Sequence, residues 1–394
     1  MKKSVILFLA LLLTGCTVVT QTPTVAPTQA TMTEAETTQE TQPTYAAIPS
    51  TEATVPTEPF EAQMDAMTTE ELVGQLFLAR YPGHSRAAQD LAQYHFGGYI
   101  LFSADFEGES PSSISGTIQG LQDAATTPLL IAVDEEGGTV ARLSGKSGFR
   151  ESRFPSPRDL FDEGGIDLVL QTEQEKCDLL KSSGINVNMA PVCDITTDPN
   201  AFMYKRSLGQ SAGVTGGYIR DVVTLMQDNK VGSVLKHFPG YGNNADTHIG
   251  SAVDTRTLED LEQNDLVPFK TGIDAGCGAI LVSHTVIGCL DEEYPATLSP
   301  TVIKYLREEM GFDGVIMTDD LQMDAITDVY GAGDAAVMAI LAGNDLLCSS
   351  EYAVQYEAVL QAVQDGTIPM EQLKQSVSRI LAWKADLGLL EINN

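Results

Sequence analysis

The sequence predicts a parallel α/β barrel of the (β/α)8, TIM type, and three observations predict it. Over residues 60–394, short apolar runs of strand length alternate with longer amphipathic stretches of helical period, the pattern of parallel strands covered by helices. The alternation recurs about eight times, the number a closed barrel needs. Polar residues able to do chemistry stand directly after several of the apolar runs, where such a barrel gathers its reactive groups. The alternation alone also fits a doubly wound open sheet; the clustering of polar strand ends is what favours the barrel.

In chain order, strands are expected near 76–79, 98–102, 129–133, 185–189, 231–235, 279–282, 315–317 and 345–347, because each is a short run dominated by Val, Ile, Leu or Ala. Helical stretches fall at 212–229, 258–275, 300–310 and 370–384. Asp134 follows the third strand, Lys236 and His237 the fifth, Ser283 and His284 the sixth, Asp319 and Asp320 the seventh. One strand-end Asp is ordinary helix capping. Four polar strand ends together point to a shared site.

The start of the chain reads differently. Lys2 and Lys3 precede an apolar run over 5–13, too short to span a bilayer and shaped like a secretory leader. Leu13-Thr14-Gly15-Cys16 has the form of a lipobox, so residues 1–15 are expected to be a lipoprotein signal and Cys16 to carry lipid, anchoring the protein outside the cytoplasm. Residues 17–59 are mostly Thr, Pro, Gln, Ala and Glu, with few large apolar residues and no Lys or Arg, a composition that cannot offset the entropy of ordering. Residues 16–59 are therefore expected to form a disordered tether and 60–394 the folded domain.

The net charge of −31 argues against binding nucleic acid or anionic lipid headgroups. Of the six cysteines, Cys16 is assigned to lipid; the remaining five form no close CxxC pair, so no zinc site and no full disulfide framework is implied, although one disulfide is compatible with an extracellular setting. Cys277 and Cys348 lie in apolar runs, where a buried thiol is expected.

The stretch from Lys236-His237-Phe238-Pro239-Gly240 through Asp246-Thr247-His248 holds two of the five histidines. A carboxylate two residues from an imidazole can fix its tautomer and stabilise its protonated form, as a His acid/base requires near neutral pH. The bland alternative is a surface turn. A metal site at Asp246 and His248 lacks a third ligand at a usual spacing.

This stretch resembles the K-H-F-P-G…D-S/T-H pattern of family 3 glycoside hydrolases, in the β-N-acetylhexosaminidase branch. The likeness extends from about Leu72 to Leu390. Asp134-Glu135-Glu136-Gly137-Gly138-Thr139-Val140-Ala141-Arg142 is similar to that family's D-x-E-G-G-R-V-x-R, Arg206-Ser207-Leu208-Gly209 to its R-S-F/L-G, and Thr318-Asp319-Asp320-Leu321-Gln322-Met323 to its S-D-D-L-x-M. The resemblance implies Asp319 as nucleophile, His248 as acid/base oriented by Asp246, and Asp134, Arg142, Arg206, Lys236 and His237 as sugar-binding residues. Asp320 is then a capping or supporting group; from the residues alone the two acids divide evenly. Thr139 and Tyr241 depart from the common Arg and His at their positions.

Each assignment has a structural rival. Arg142 and Arg206 could be ion-pair partners in an acidic protein, and Lys236 a buried partner of Asp134 or Asp194. His84, His95 and His284 are expected to be structural or surface residues. Gly240, Gly242 and the two Asn suggest that the loop reaches its working position only with substrate.

The resemblance implies an exo-acting, retaining β-N-acetylglucosaminidase acting on GlcNAc-terminated saccharides such as cell-wall fragments, without cofactor or metal and without an added C-terminal domain. A β-glucosidase or GlcNAc phosphorylase of the same family, and a wall-binding lipoprotein without turnover, are the alternatives.

Overall fold

The computed structural model describes residues 59–242 and 252–391. Its strands in chain order are β1 Phe77–Arg80, β2 Gly98–Leu101, β3 Leu130–Val133, β4 Val187–Asn188, β5 Gly232–Phe238, β6 Ala252–Asp254, β7 Ala279–Val282, β8 Thr285–Ile287, β9 Val315–Thr318 and β10 Leu347–Ser349. Eight of these pair in parallel in the order β10-β1-β2-β3-β4-β5-β7-β9. A parallel bridge between Met317 and Leu346 joins the two ends of that order and closes the barrel.

The strands are short and apolar on both faces because one face fills the barrel and the other lies under helices. Every residue of β2, β3, β7 and β9 is buried. Covering helices include His84–Tyr94, Pro111–Ala124, Pro157–Ser182, Ala212–Asp228, Ala332–Ala342, Tyr352–Gln364 and Met370–Asp386. Ser110 and Ser156 cap their helices by accepting the backbone N–H three residues on, each with Pro in the first turn. The expected helix over 258–275 is two, Leu258–Gln263 and Leu266–Asp274, and the stretch from Pro300 passes at Tyr305 from α into a π turn. No described helix is long and apolar enough to cross a membrane.

The strand at 231–235 runs further than its apolar residues suggest. β5 continues to Phe238 and takes Lys236 and His237 into the sheet. Leu235 pairs with Ile280 and Phe238 with Val282, so β5 carries one extra residue there, a β-bulge. In a regular strand two consecutive side chains face opposite ways. The bulge lets Lys236 and His237 both serve the same end of the barrel. The expected strand at 185–189 shrinks to Val187–Asn188, and that at 345–347 shifts to Leu347–Ser349 because Asp345 is drawn instead into an ion-pair cluster with Arg307 and Arg379.

At the opposite end, Trp383 packs under β5 and β7. A Cβ on Gly232 would lie 2.9 Å from its ring and one on Gly278 only 2.0 Å away, so β5 begins with, and β7 directly follows, the residue that leaves the indole room. All five described cysteines are free thiols, so the disulfide considered above is not formed among them; Cys177, Cys193, Cys277 and Cys348 are buried and Cys289 is exposed.

Candidate active site

The site is built from the C-terminal ends of β3, β5 and β9 and the loops beyond them. After β3 come three acids with different tasks. Glu135 is buried, and its carboxylate accepts the backbone N–H of Arg142 and Leu143, each at 2.8 Å, and the Ser144 hydroxyl. It thereby folds the 135–144 loop back so that Arg142 reaches Asp134. Asp134 accepts Arg142 Nη2 at 2.9 Å and Lys236 Nζ at 2.8 Å. Glu136 accepts Arg206 through Nε at 3.0 Å and Nη2 at 2.7 Å, and lies 2.7 Å from Lys236 Nζ.

Lys236 thus sits between the partly buried carboxylate of Asp134 and the buried one of Glu136. Burial by itself would push the Asp134 carboxyl up; the Lys236 and Arg142 cations outweigh it and hold Asp134 far below the usual range. Burial likewise opposes ionisation of Glu136, but Arg206 and Lys236 bring it down to about 2. Lys236, which burial would lower, is raised by the same two acids. The cluster is therefore ionised and mutually compensated at neutral pH. A sugar meets fixed acceptors and donors that need not be rearranged.

His237 is held from three sides. Its Nδ1 is 2.8 Å from Asp194 Oδ2, which also accepts its backbone N–H at 3.1 Å, while Asp194 Oδ1 accepts Tyr241 N–H at 2.7 Å. Arg206 Nη2 lies 3.1 Å from Nε2. A guanidinium can only donate, so Nε2 is the acceptor and the ring proton rests on Nδ1, donated to Asp194. Tyr241 is buried edge-on to the His237 ring at 5.2 Å and to Phe202 at 5.8 Å. Its departure from the common His therefore adds a wall behind His237. Thr139 is exposed and takes no part in the cluster.

The two acids after β9 separate cleanly. Asp320 accepts Gln322 N–H at 3.0 Å, Ser350 N–H at 3.3 Å and the Ser350 hydroxyl, tying the end of β9 to the end of β10. Asp319 uses Oδ1 to accept Asp320 N–H at 2.9 Å, and among the described residues its Oδ2 has no hydrogen-bond partner. His284 is buried, with Nε2 3.0 Å from the Asp320 carbonyl and Nδ1 2.9 Å from Thr297, a buttress for that turn. The Cys348 thiol is raised well above its ordinary value, by burial first and then by Asp320, Asp319 and Asp134, with Lys236 acting the other way; it lies within the field of both strand ends.

The structure thus gathers Asp134, Arg142, Arg206, Lys236 and His237 into one network. The ion-pair reading of both arginines holds as geometry, and the carboxylates they pair with are those of the cluster itself. Lys236 pairs with Asp134 and Glu136, whereas Asp194 belongs to His237. Sequence reasoning missed Glu136 as the anchor of Arg206; the only signal was a second acid beside Glu135. Asp246, His248 and Cys16 lie outside the described residues. Among the described residues no group of three or more His, Cys, Asp and Glu is arranged to hold a metal ion.

Comparison with known proteins shows the family. The chain is 30% identical over 334 residues to the Mycobacterium tuberculosis protein named beta-hexosaminidase LpqI, covering 81% of this chain and 83% of that protein. In structure it is similar to a glycoside hydrolase family 3 beta-N-acetylglucosaminidase from a Paenibacillus species, with TM-score 0.77 and 33% identity over 84% of this chain; the chain spans 65% of that protein. It is similar also to a Mycobacterium smegmatis glycosyl hydrolase of the same family, with TM-score 0.74 and 31% identity, covering 81% of this chain and 97% of that one. The model of the glycosyl hydrolase family 3 N terminal domain matches residues 68–383, and the chain belongs to that family.

Proposed function

We propose that this protein is a retaining β-N-acetylglucosaminidase that releases terminal GlcNAc from cell-wall fragments or other GlcNAc glycosides. The observation that carries the reading is the pairing of one strand-end carboxylate whose Oδ2 is unclaimed among the described residues, Asp319, with a preformed cluster of compensated charges at the same end of the barrel. Asp134, Arg142, Arg206, Lys236 and His237 would take sugar hydroxyls, since carboxylates accept them and guanidinium and ammonium groups donate to ring oxygen substituents.

In the first step Asp319 attacks the anomeric carbon, the glycosidic C–O bond breaks, and a proton from the His248 imidazolium passes to the leaving oxygen. In the second, neutral His248 takes a proton from water, the water oxygen bonds to the anomeric carbon, and the Asp319 ester is released. Asp246 orients the imidazole. No metal or cofactor enters either step. Cys16 is proposed to carry a lipid that holds the enzyme on the outer face of the cell membrane; Cys16→Ser is expected to move the full chain from the membrane fraction to the soluble one.

The test is a panel of p-nitrophenyl glycosides assayed with the parent, Asp319→Asn and His248→Ala proteins. The GlcNAc glycoside is expected to be cleaved in preference to the glucoside, with Asp319→Asn reducing kcat about a thousandfold or more. Added phosphate is expected to leave GlcNAc, not GlcNAc 1-phosphate, as the product. A parent that binds glycan and cleaves nothing would replace this reading with that of a binding protein.

A further inference from the structure

Phe102 stands directly after β2, at the same end of the barrel as the charged cluster, and two guanidiniums lie over its ring. Arg142 has its Cζ 5.0 Å from the ring centroid, and Arg80, the last residue of β1, has its Cζ at 4.8 Å. At both distances a cation is attracted to an aromatic face. The ring is firmly mounted. Asp105 Oδ2 accepts the Phe102 N–H at 2.7 Å, and the Asp105 N–H donates back to the Phe102 carbonyl at 2.9 Å. The same carboxylate takes Arg80 through Nη1 at 2.7 Å and Nη2 at 3.1 Å, and Arg80 also donates to the Tyr81 carbonyl. Ser103 ties this turn to the loop that carries Arg142, its hydroxyl donating to the Ala141 carbonyl at 3.3 Å.

Arg142 is held by little else. Among the described residues its guanidinium donates one hydrogen bond, from Nη2 to Asp134 at 2.9 Å, and its buried Nε has no hydrogen-bond partner. Arg206 shows a fully braced arginine in the same cluster: Nε and Nη2 both donate to Glu136, and Nη2 also meets His237. A single hydrogen bond leaves a planar group free to turn, where a two-pronged pair fixes it. For Arg142 the second constraint is the face of Phe102, whose electron-rich surface attracts the cation and takes the place of the missing acceptor.

We infer that Phe102 is a positioning residue for sugar binding: its ring, mounted on Asp105 and shared with Arg80, fixes the plane of Arg142 so that the N–H groups not spent on Asp134 are presented to the saccharide. The inference rests on the proposed function, in which Arg142 takes a sugar hydroxyl, and deepens it by naming what orients that arginine. Phe102 acts through Arg142 and not by touching the sugar. Its loss therefore matters only while Arg142 is present.

The test is a double-mutant cycle on kcat/KM for p-nitrophenyl GlcNAc. Phe102→Leu, which keeps an apolar side chain without the ring, is expected to lower kcat/KM about tenfold, and Phe102→Tyr, which keeps the ring, to stay within about twofold of the parent. In an Arg142→Met background the same Phe102→Leu change is expected to cost less than about twofold. Should that background cleave too slowly to follow, the cycle is read from the Kd of GlcNAc by NMR titration, with the same expected ratios. Should Phe102→Leu fail to fold, Phe102→Met takes its place. An equal loss with and without Arg142, the result of a ring that only packs the turn or stacks on the sugar itself, overturns the inference, as does no loss in either background. A parent that leaves the glycoside uncleaved overturns the proposed function instead.

Discussion

Lys236 shows how a single side chain carries the site. It is almost completely buried, 2.8 Å from Asp134 and 2.7 Å from Glu136, and replacing it leaves the partly buried Asp134 and the buried Glu136 with only the arginines to offset them. Removing one member of a buried charge cluster typically costs about 3–5 kcal/mol. Lys236→Ala is therefore expected to lower the urea midpoint by an amount equivalent to about 3 kcal/mol and to raise KM more than it lowers kcat. The sign of the pH dependence follows from the same pairs. Glu136 falls from an ordinary 4.5 to about 2, and Asp134 falls further, so their contribution is complete above about 4.5 and disappears as pH drops through about 2. The parent is expected to lose this part of its stability progressively as pH falls from about 4.5 toward 2, and Lys236→Ala, whose acids are less depressed, to lose less over the same interval, read from urea titrations across that range. Asp134, Lys236 and His237 were visible in the sequence because they follow apolar runs directly. Glu136 was not, because which of two consecutive acids turns inward is decided by a loop whose path depends on Glu135 bonding residues seven to nine positions on.

At the scale of elements, the C-terminal helix Met370–Asp386 governs the end of the barrel remote from the site. Its Trp383 occupies the space left by Gly232 and Gly278. Gly278→Ala, whose methyl would meet Nε1 at 2.0 Å, is expected to destabilise by about 1–3 kcal/mol while leaving KM unchanged, measured by thermal melting and steady-state kinetics. The next residue, Lys384, is completely buried, and its ammonium donates to Gln75 Oε1 at 2.7 Å. Burial lowers its pKa from 10.5 to about 7, so between those values the unfolded chain binds more protons than the folded one and stability rises with pH. Lys384→Met is expected to raise stability at pH 7 by about 2 kcal/mol and to flatten the rise between pH 7 and 10. Neither feature was readable beforehand, since a lysine inside a helix of mixed polarity looks like a solvated one. The bulge in β5 was equally hidden: it is a pairing offset between two strands, and no residue marks it.

For the whole molecule, the presence of about eight strands followed from the alternation of apolar and amphipathic stretches, because each strand buried on both faces has to be uniformly apolar, and the barrel rather than an open sheet followed from the polar residues at the strand ends. The small sheet of β6 and β8 gave no such signal; its strands are three residues long, and Val253 points outward. What the architecture accomplishes is a division between ends. One end is closed by Trp383 and Lys384. The other gathers acids and bases from β3, β5 and β9 on backbone that the barrel makes rigid, with Asp319 left one uncommitted oxygen among the described residues and Asp320 spent on Ser350. The central claim is that this oxygen bonds the sugar. Incubating the protein with a fluorinated GlcNAc donor bearing a good leaving group, then mapping the adduct by peptide mass spectrometry, tests it most directly. The account predicts one sugar per chain, esterified to Asp319 and absent from Asp319→Asn. A sugar carried by Asp320 or by any other residue, or turnover of that donor by Asp319→Asn at the parent's rate, would contradict it.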